Sequence, residues 1–145
     1  MSMIQLASGT ALGAGTVTTL APANPQQHFE EIVGALFFLN VTAVGAGGGD
    51  TFDCYVQSSI DDGVTFDDFV HFTQVLGNGG VKKFKAAWLL YGGAPTVTVG
   101  AYLDGALAAG TANQGPIGNI WRVKTVVVGG TAAFTYTLSV EQFDE

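Results

Sequence analysis

The sequence predicts an all-β domain: a single β-sandwich or jelly roll of about eight strands, preceded by an extended N-terminal arm. Three observations carry this reading. Apolar and polar residues alternate at period two through most of the chain. Glycine-rich turns separate these runs at short spacing, and no stretch holds an amphipathic helical period for more than a couple of turns. The length of 145 residues supports one domain, and no repeat of propeller or solenoid period is present.

Residues 1–28 read as the arm and residues 29–145 as the sandwich. Gly9, Gly13 and Gly15 interrupt every helical period, while Pro22 and Pro25 exclude both a helix and a central strand. From Phe29 to Val44 the chain is mostly β-branched and aromatic, which predicts a long buried strand, with a short helix as the alternative; it ends in the turn Gly45 to Gly49. Thr51 to Ser59 alternates strictly. Phe52, Cys54 and Val56 point one way, and Asp53, Tyr55 and Gln57 the other, as in a half-buried strand.

The same alternation predicts strands over Val64 to Val75, Val81 to Leu90 and Thr96 to Leu103, with Phe84, Trp88 and Leu90 on one face. Turns at Asp61 to Gly63, Gly77 to Gly80 and Gly92 to Pro95 separate them. Leu103 to Gly118 is small and almost uncharged, so it is expected to be a long loop of functional or interface character, with a short strand at Ala106 to Ala109. Ile120 to Val128 and Thr131 to Phe143 flank Gly129-Gly130 as a hairpin, with Phe134, Tyr136, Leu138 and Val140 as its inward row.

Composition narrows the function. Only 12% of residues are charged, against about a quarter in an ordinary soluble domain, so much of the surface must be uncharged. The longest apolar stretches, Ala35 to Leu39 and Ala86 to Tyr91, fall far short of the roughly 18 residues a spanning helix needs. No membrane partner is expected, and the N-terminus lacks the basic and apolar regions of a cleaved export signal. Five basic residues, Lys82, Lys83, Lys85, Arg122 and Lys124, face twelve acidic ones for a net charge of -7, which argues against nucleic-acid binding. Lys82, Lys83 and Lys85 are instead candidates for contact with an acidic patch on another protein. Cys54 stands alone, so neither an intrachain disulfide nor a cysteine-based zinc site is expected, and a reducing assembly compartment fits.

The sharpest motif runs from Ser59 to Phe66 and matches S-x-D-x-G-x-T-[WF], the Asp-box of sialidase-like propellers, through Ser59, Asp61, Gly63, Thr65 and Phe66. The aspartate can bond nearby backbone N–H groups, the glycine admits a left-handed turn residue, and the ring packs beneath. A propeller would need several such blades, so the motif predicts a structural turn. Asp50, Asp53, Asp61, Asp62, Asp67 and Asp68 could offer oxygens to Ca²⁺, but their spacing follows no EF-hand, and they read as solvated turn charges.

His28 and His71 lack partners at metal-ligand or triad spacing, and no glycine loop of nucleotide-binding type occurs. His71 is expected to be hydrogen-bonded and Cys54 a small buried hydrophobe. No enzymatic activity, cofactor or metal is expected. Trp121, Tyr91 and Tyr102 could form a sugar-stacking platform if exposed together, whereas Trp88 is expected in the core beside Phe84 and Leu90.

The stretches DTFDCYVQSSIDDGVTFDDFVHFTQVLGNGG and WRVKTVVVGGTAAFTYTLSVEQF, residues 50–80 and 121–143, resemble small virion structural proteins of tailed bacteriophages and prophages. A strand, an Asp-box-like turn, a [HF]FTQ segment and an R-V…GGT hairpin recur in that family. The resemblance implies a β-sandwich unit on the particle, often a decoration (cement) protein on the head or a component of the tail or head-tail junction. The expected partners are the major capsid protein and further copies of this chain, a trimer by cyclic symmetry. The expected location is the outer capsid surface, after assembly in the host cytoplasm. In this reading the arm lies along a neighbour and buries Ile4, Leu6, Val17 and Leu20, each contributing about 1.5 to 3 kcal/mol before ordering costs. A carbohydrate-binding module is the alternative from another class.

Overall fold

The computed structural model describes residues 3–22, 32–90, 103–115 and 117–144. Among them are ten strands: β1 (Ile4–Leu12), β2 (Gly15–Leu20), β3 (Ile32–Ala43), β4 (Thr51–Ser59), β5 (Asp67–His71), β6 (Val75–Leu76), β7 (Lys82–Leu89), β8 (Thr111–Ala112), β9 (Ile120–Val128) and β10 (Phe134–Asp144). Sheet I has the order β1-β10-β3-β7, and sheet II the order β2-β9-β4-β5-β8 with β6 on β4. Every pairing is antiparallel. Without the two-residue strands β6 and β8, the eight longer strands read 1-8-3-6 and 2-7-4-5 in chain order. That is the strand order of a jelly roll.

The period-two pattern fixes which residues meet between the sheets. β3 contributes Ala35, Phe37, Leu39 and Val41, and β10 contributes Phe134, Tyr136, Leu138 and Val140; Phe52, Cys54 and Val56 of β4 and Trp121, Val123 and Val127 of β9 answer from sheet II. Aromatic rings interlock through this layer. Phe69 meets Phe37 edge-on at 5.7 Å and Trp121 at 5.4 Å, and Trp88 meets Trp121 at 6.4 Å, geometries that favour the ring quadrupoles.

Two β-bulges place extra residues in this core. Val56 pairs with Val70 but Gln57 pairs with Asp68, so Phe69 is the additional residue. Phe69 and Val70 therefore both turn inward, while Asp68 and His71 lie on the outer face. In β1 the register slips between Gln5 and Ala7, and Leu6 and Ala7 are both buried.

Four expectations need correction. Residues 4–20 are not an arm: β1 pairs with β10 and β2 with β9, so they form one edge of each sheet. Edge positions tolerate glycine, and a Cβ at Gly9 would stand 2.8 Å from Leu12 Cδ1 and 3.0 Å from Tyr136 Cε1, so this glycine serves close packing. Residues 1–2 and 23–28 of the expected arm, and the expected strand at 96–102, lie outside the described residues. β9 and β10 do not form a hairpin, because β9 belongs to sheet II and β10 to sheet I; residues 129–133 arch across the sandwich, with Gly129 at φ 124°. The expected strand over Val64 to Val75 is divided into the end of a turn, β5 and β6. The short strand of the 103–118 loop lies at Thr111–Ala112 instead of 106–109, where it pairs with β5.

Candidate functional site

The outer face of sheet II carries a network of polar side chains, and the loop after Leu103 lies over it. Asp68, almost fully buried, accepts backbone N–H bonds from Gly105 (3.0 Å), Ala106 (2.9 Å) and Leu107 (3.0 Å), and a fourth bond from Gln57 Nε2 (2.6 Å). Asp67 Oδ1 accepts from the Leu103 N–H at 2.6 Å, and the Asp68 N–H donates to the Leu103 carbonyl. Tyr55 Oη donates to the Gly105 carbonyl at 3.1 Å. The adjacent carboxylates of β5 thus fasten the loop by its backbone.

Beside them, His71 lies between the Leu107 carbonyl, 2.6 Å from Nδ1, and Asp53 Oδ1, 2.8 Å from Nε2, with the Tyr55 ring stacked on it at 3.9 Å. Asp104 accepts from Lys124 Nζ and Gln57 Nε2, each at 2.8 Å, and the Lys124 bond leads the causes that lower its pKa. Arg122 Nε donates to Gln57 Oε1 at 2.6 Å. Gln57, Asp68 and both ring nitrogens of His71 are bonded within this network or to the loop backbone, and Asp53 Oδ2 accepts from Gln74 Nε2 at 2.8 Å. Such an arrangement holds a surface in shape.

The turn between β4 and β5 is built from its own side chains. Ser59 Oγ accepts from the Gly63 N–H at 2.9 Å and donates to Asp61 Oδ1 at 2.7 Å, and the Thr65 N–H donates to Asp61 Oδ1 at 2.8 Å. Asp62 and Gly63 take left-handed φ values of 66° and 86°. Hydrogen bonds from the Thr65 hydroxyl, the Thr65 N–H and Ser59 hold the Asp61 carboxyl down at about 2. Phe66 is buried beneath the Arg122 guanidinium, which lies 4.0 Å from the ring centroid. The turn leaves Ile60 and Val64 projecting, 73% and 79% exposed.

The residues singled out as contacts do not share one surface. Leu6 is in the core and Ile4 packs against it. Val17 and Leu20 are exposed on β2, at one side of the sandwich, and Lys82, Lys83 and Lys85 are exposed on β7, at the other. Trp88 and Trp121 are 1% and 5% exposed and donate their indole N–H groups to the carbonyls of Gly115 and Gly118, so Trp121 offers no sugar platform. Tyr91, Tyr102 and His28 lie outside the described residues.

Of the acidic residues expected as solvated turn charges, Asp61 and Asp62 are exposed in the turn, whereas Asp50 and Asp68 are buried. Cys54 is buried in the core, and burial pushes its thiol pKa up. The sequence reading missed the outer face of sheet I, where Leu36, Phe38, Ala87, Leu89 and Phe143 alternate with the core rows. The consecutive pair Phe37-Phe38 is the signal, because successive strand residues take opposite faces.

No family model matches the sequence, and no curated protein matches it. Two chains of solved structures are similar in three dimensions. One belongs to broad bean stain virus, solved by cryo-EM: 9% identity, TM-score 0.43, covering 77% of this chain and 55% of that one. The other belongs to the naturally occurring empty particles, the top component, of cowpea mosaic virus: 11% identity, TM-score 0.46, covering 98% of this chain and 86% of that one. This chain therefore spans little more than half the length of the first. The jelly-roll assignment rests on the strand order itself.

Proposed function

We propose that this protein is a virion structural protein of a tailed bacteriophage, a decoration protein on the outer head surface that binds the major capsid protein at coat-subunit junctions and associates with further copies of itself. The role is structural and non-enzymatic. The observation that carries the reading is a surface rich in exposed apolar side chains on a frame that bonds the buried Asp50, Asp68 and His71 internally. Val17, Leu20, Val128, Ile60, Val64 and Leu89 are all exposed. Where such residues adjoin, as Val17 and Leu20 do on β2 and Ile60 and Val64 on one turn, exposed apolar area is the material of interfaces. Jelly rolls serve in viral capsids, lectins and cupins, and fold alone does not choose among these. The resemblance of residues 50–80 and 121–143 to phage virion proteins supports the first.

The corrected fold changes the mechanism of attachment. Ile4 and Leu6 belong to the core, so the N-terminal contribution to a coat contact reduces to the β2 edge, with Val17 and Leu20. Lys82, Lys83 and Lys85 on β7 are the candidate contacts with an acidic coat surface at the opposite side. The test is the copy number of this protein relative to the major coat protein in purified particles, by quantitative mass spectrometry. Copies on the scale of the coat protein support head decoration. A few to a few dozen move the protein to the tail or head-tail junction, and absence from particles overturns the virion reading.

A further inference from the structure

We infer that the outer face of sheet I is a self-association surface that receives the same face of a second copy of this chain about a two-fold axis. The strand registers set its layout. Phe143, Gly34 and Leu89 form one cross-strand row, Glu141, Leu36 and Ala87 the next, then Ser139, Phe38 and Lys85, then Thr137, Asn40 and Lys83. The alternate positions of β3, at Ala35, Phe37, Leu39 and Val41, fill the core, so these rows face outward.

One end of the face is apolar, and Leu36 and Phe38 extend it along β3. A Cβ at Gly34 would lie 2.9 Å from Leu89 Cδ2 and 3.4 Å from Phe143 Cδ2, so these two side chains lean together over the glycine. Leu89 is 46% exposed, and among the described residues no strand packs over this side of the sheet. One flank is cationic, with Lys83 and Lys85 exposed on β7, and the other carries Glu141 on β10.

This distribution is self-complementary. A two-fold axis along β3 carries β7 of one copy over β10 of the other and preserves the rows, so Leu89 meets Phe143 of the second copy and Leu36 and Phe38 meet their own equivalents. Lys85 then stands one outward step, about 7 Å along the strand, from Glu141 of the second copy, within reach of a lysine side chain. An isologous contact of this kind makes each off-axis pair, such as Leu89 with Phe143, twice, and the Leu36 and Phe38 self-pairs once. The three strands that overlap, at a spacing of about 4.8 Å and with eight paired residues at about 3.3 Å rise, give a face of roughly 380 Å² in projection, about half of the roughly 800 Å² of accessible surface that a standard interface buries per partner. A two-fold pair is the alternative to the trimer expected from cyclic symmetry.

The inference goes beyond the virion reading and does not depend on it, because purified full-length protein tests it alone. Sedimentation equilibrium is expected to show a concentration-dependent dimer. Phe38→Lys should weaken it by at least about tenfold, equivalent to about 1.4 kcal/mol, and Lys85→Glu should weaken it measurably. The double variant Lys85→Glu with Glu141→Lys restores the opposed charges and should recover the dimer. All these positions lie on the outer face, and circular dichroism checks that each variant folds; if Phe38→Lys does not, the charge pair decides. A monomer or a trimer for the wild type, a dimer indifferent to both single variants, or a double variant no better than Lys85→Glu would each overturn the inference.

Discussion

The buried Asp50 carboxylate accepts a hydrogen bond from the Thr131 hydroxyl, 81 residues further along the chain. The contact closes one end of the sandwich. Three turns converge there: the Asp50 N–H donates to the Gly47 carbonyl at 3.1 Å, and the Gly77 N–H donates to the Asp50 carbonyl at 2.8 Å. Glycine from each turn leaves the room the carboxylate needs. A Cβ would lie 1.9 Å from Asp50 Oδ1 at Gly129, 2.7 Å from Oδ2 at Gly47, and 2.8 Å from the Asp50 Cβ at Gly77.

From this packing, Gly129→Ala should be among the most damaging small substitutions in the chain. It combines a left-handed φ of 124° with an immovable neighbour. A loss of more than about 2 kcal/mol in urea-induced unfolding is expected. Gly130→Ala, next to it, meets nothing within 4 Å and should stay within about 0.5 kcal/mol of the wild type. Equal effects of the two would contradict the role given to Asp50.

Asp68 should govern the order of the loop over sheet II. In Asp68→Asn one acceptor oxygen becomes an NH₂ group, which cannot accept from the Ala106 and Leu107 N–H groups now bonded to Oδ2. Buried donors without partners cost about 1 to 3 kcal/mol each. Amide hydrogen exchange at residues 105–107 is therefore expected to be slow in the wild type and to accelerate in the variant, ahead of exchange in β4 and β9. Unchanged protection at those amides would show that the loop is held by other means.

These two aspartates also mark where the sequence was readable and where it was not. β4 and β9 follow from their alternation to the residue, because one face of each packs on the opposite sheet while the other carries polar groups. Strand faces are encoded that way, but strand partners are not. That is why Gly129-Gly130 reads as a hairpin although it bridges the sheets. The burial of Asp68 was illegible for a different reason: three of its four partners are backbone N–H groups of Gly105, Ala106 and Leu107, which carry no side-chain signal. The apolar outer face of sheet I was hidden in a run that looks buried on both sides, since Leu36 and Phe38 are interleaved with the core residues Phe37 and Leu39.

Asp61 makes folding stability fall in acid. Its pKa is lowered to about 2 in the folded chain from an ordinary 3.8. A depressed carboxyl contributes stability that is present above the unfolded value and lost as pH falls through the folded one, so the loss is concentrated between about pH 4 and 2. Because the Thr65 hydroxyl bond is the leading cause, Thr65→Val should move the Asp61 titration midpoint upward, read by carboxyl carbon NMR. Asp104, lowered chiefly by its bond from Lys124, adds to the same acid dependence. A midpoint near 4 for Asp61 in the wild type would remove the turn's bonding from the account.

Cys54 should report on global unfolding alone. Its side chain is fully enclosed between the sheets, in line with Phe52 and Val56, and burial, reinforced by the neighbouring Asp53 charge, raises the thiol pKa. Thiolate is the reactive form, so a thiol reagent must wait for the sandwich to open. Modification of the native protein is expected to rise with reagent concentration while reclosing outpaces modification and to level off at the opening rate when modification outpaces reclosing; in the first regime Gly129→Ala should accelerate it by the factor by which it lowers the folding equilibrium constant. Asp68→Asn, which loosens the loop on the outer face while leaving the core packed, should accelerate it less. Rapid labelling of the wild type under native conditions, or labelling faster in Asp68→Asn than in Gly129→Ala, would show that sheet II opens locally at β4 and that the interior is less tightly closed than its packing implies.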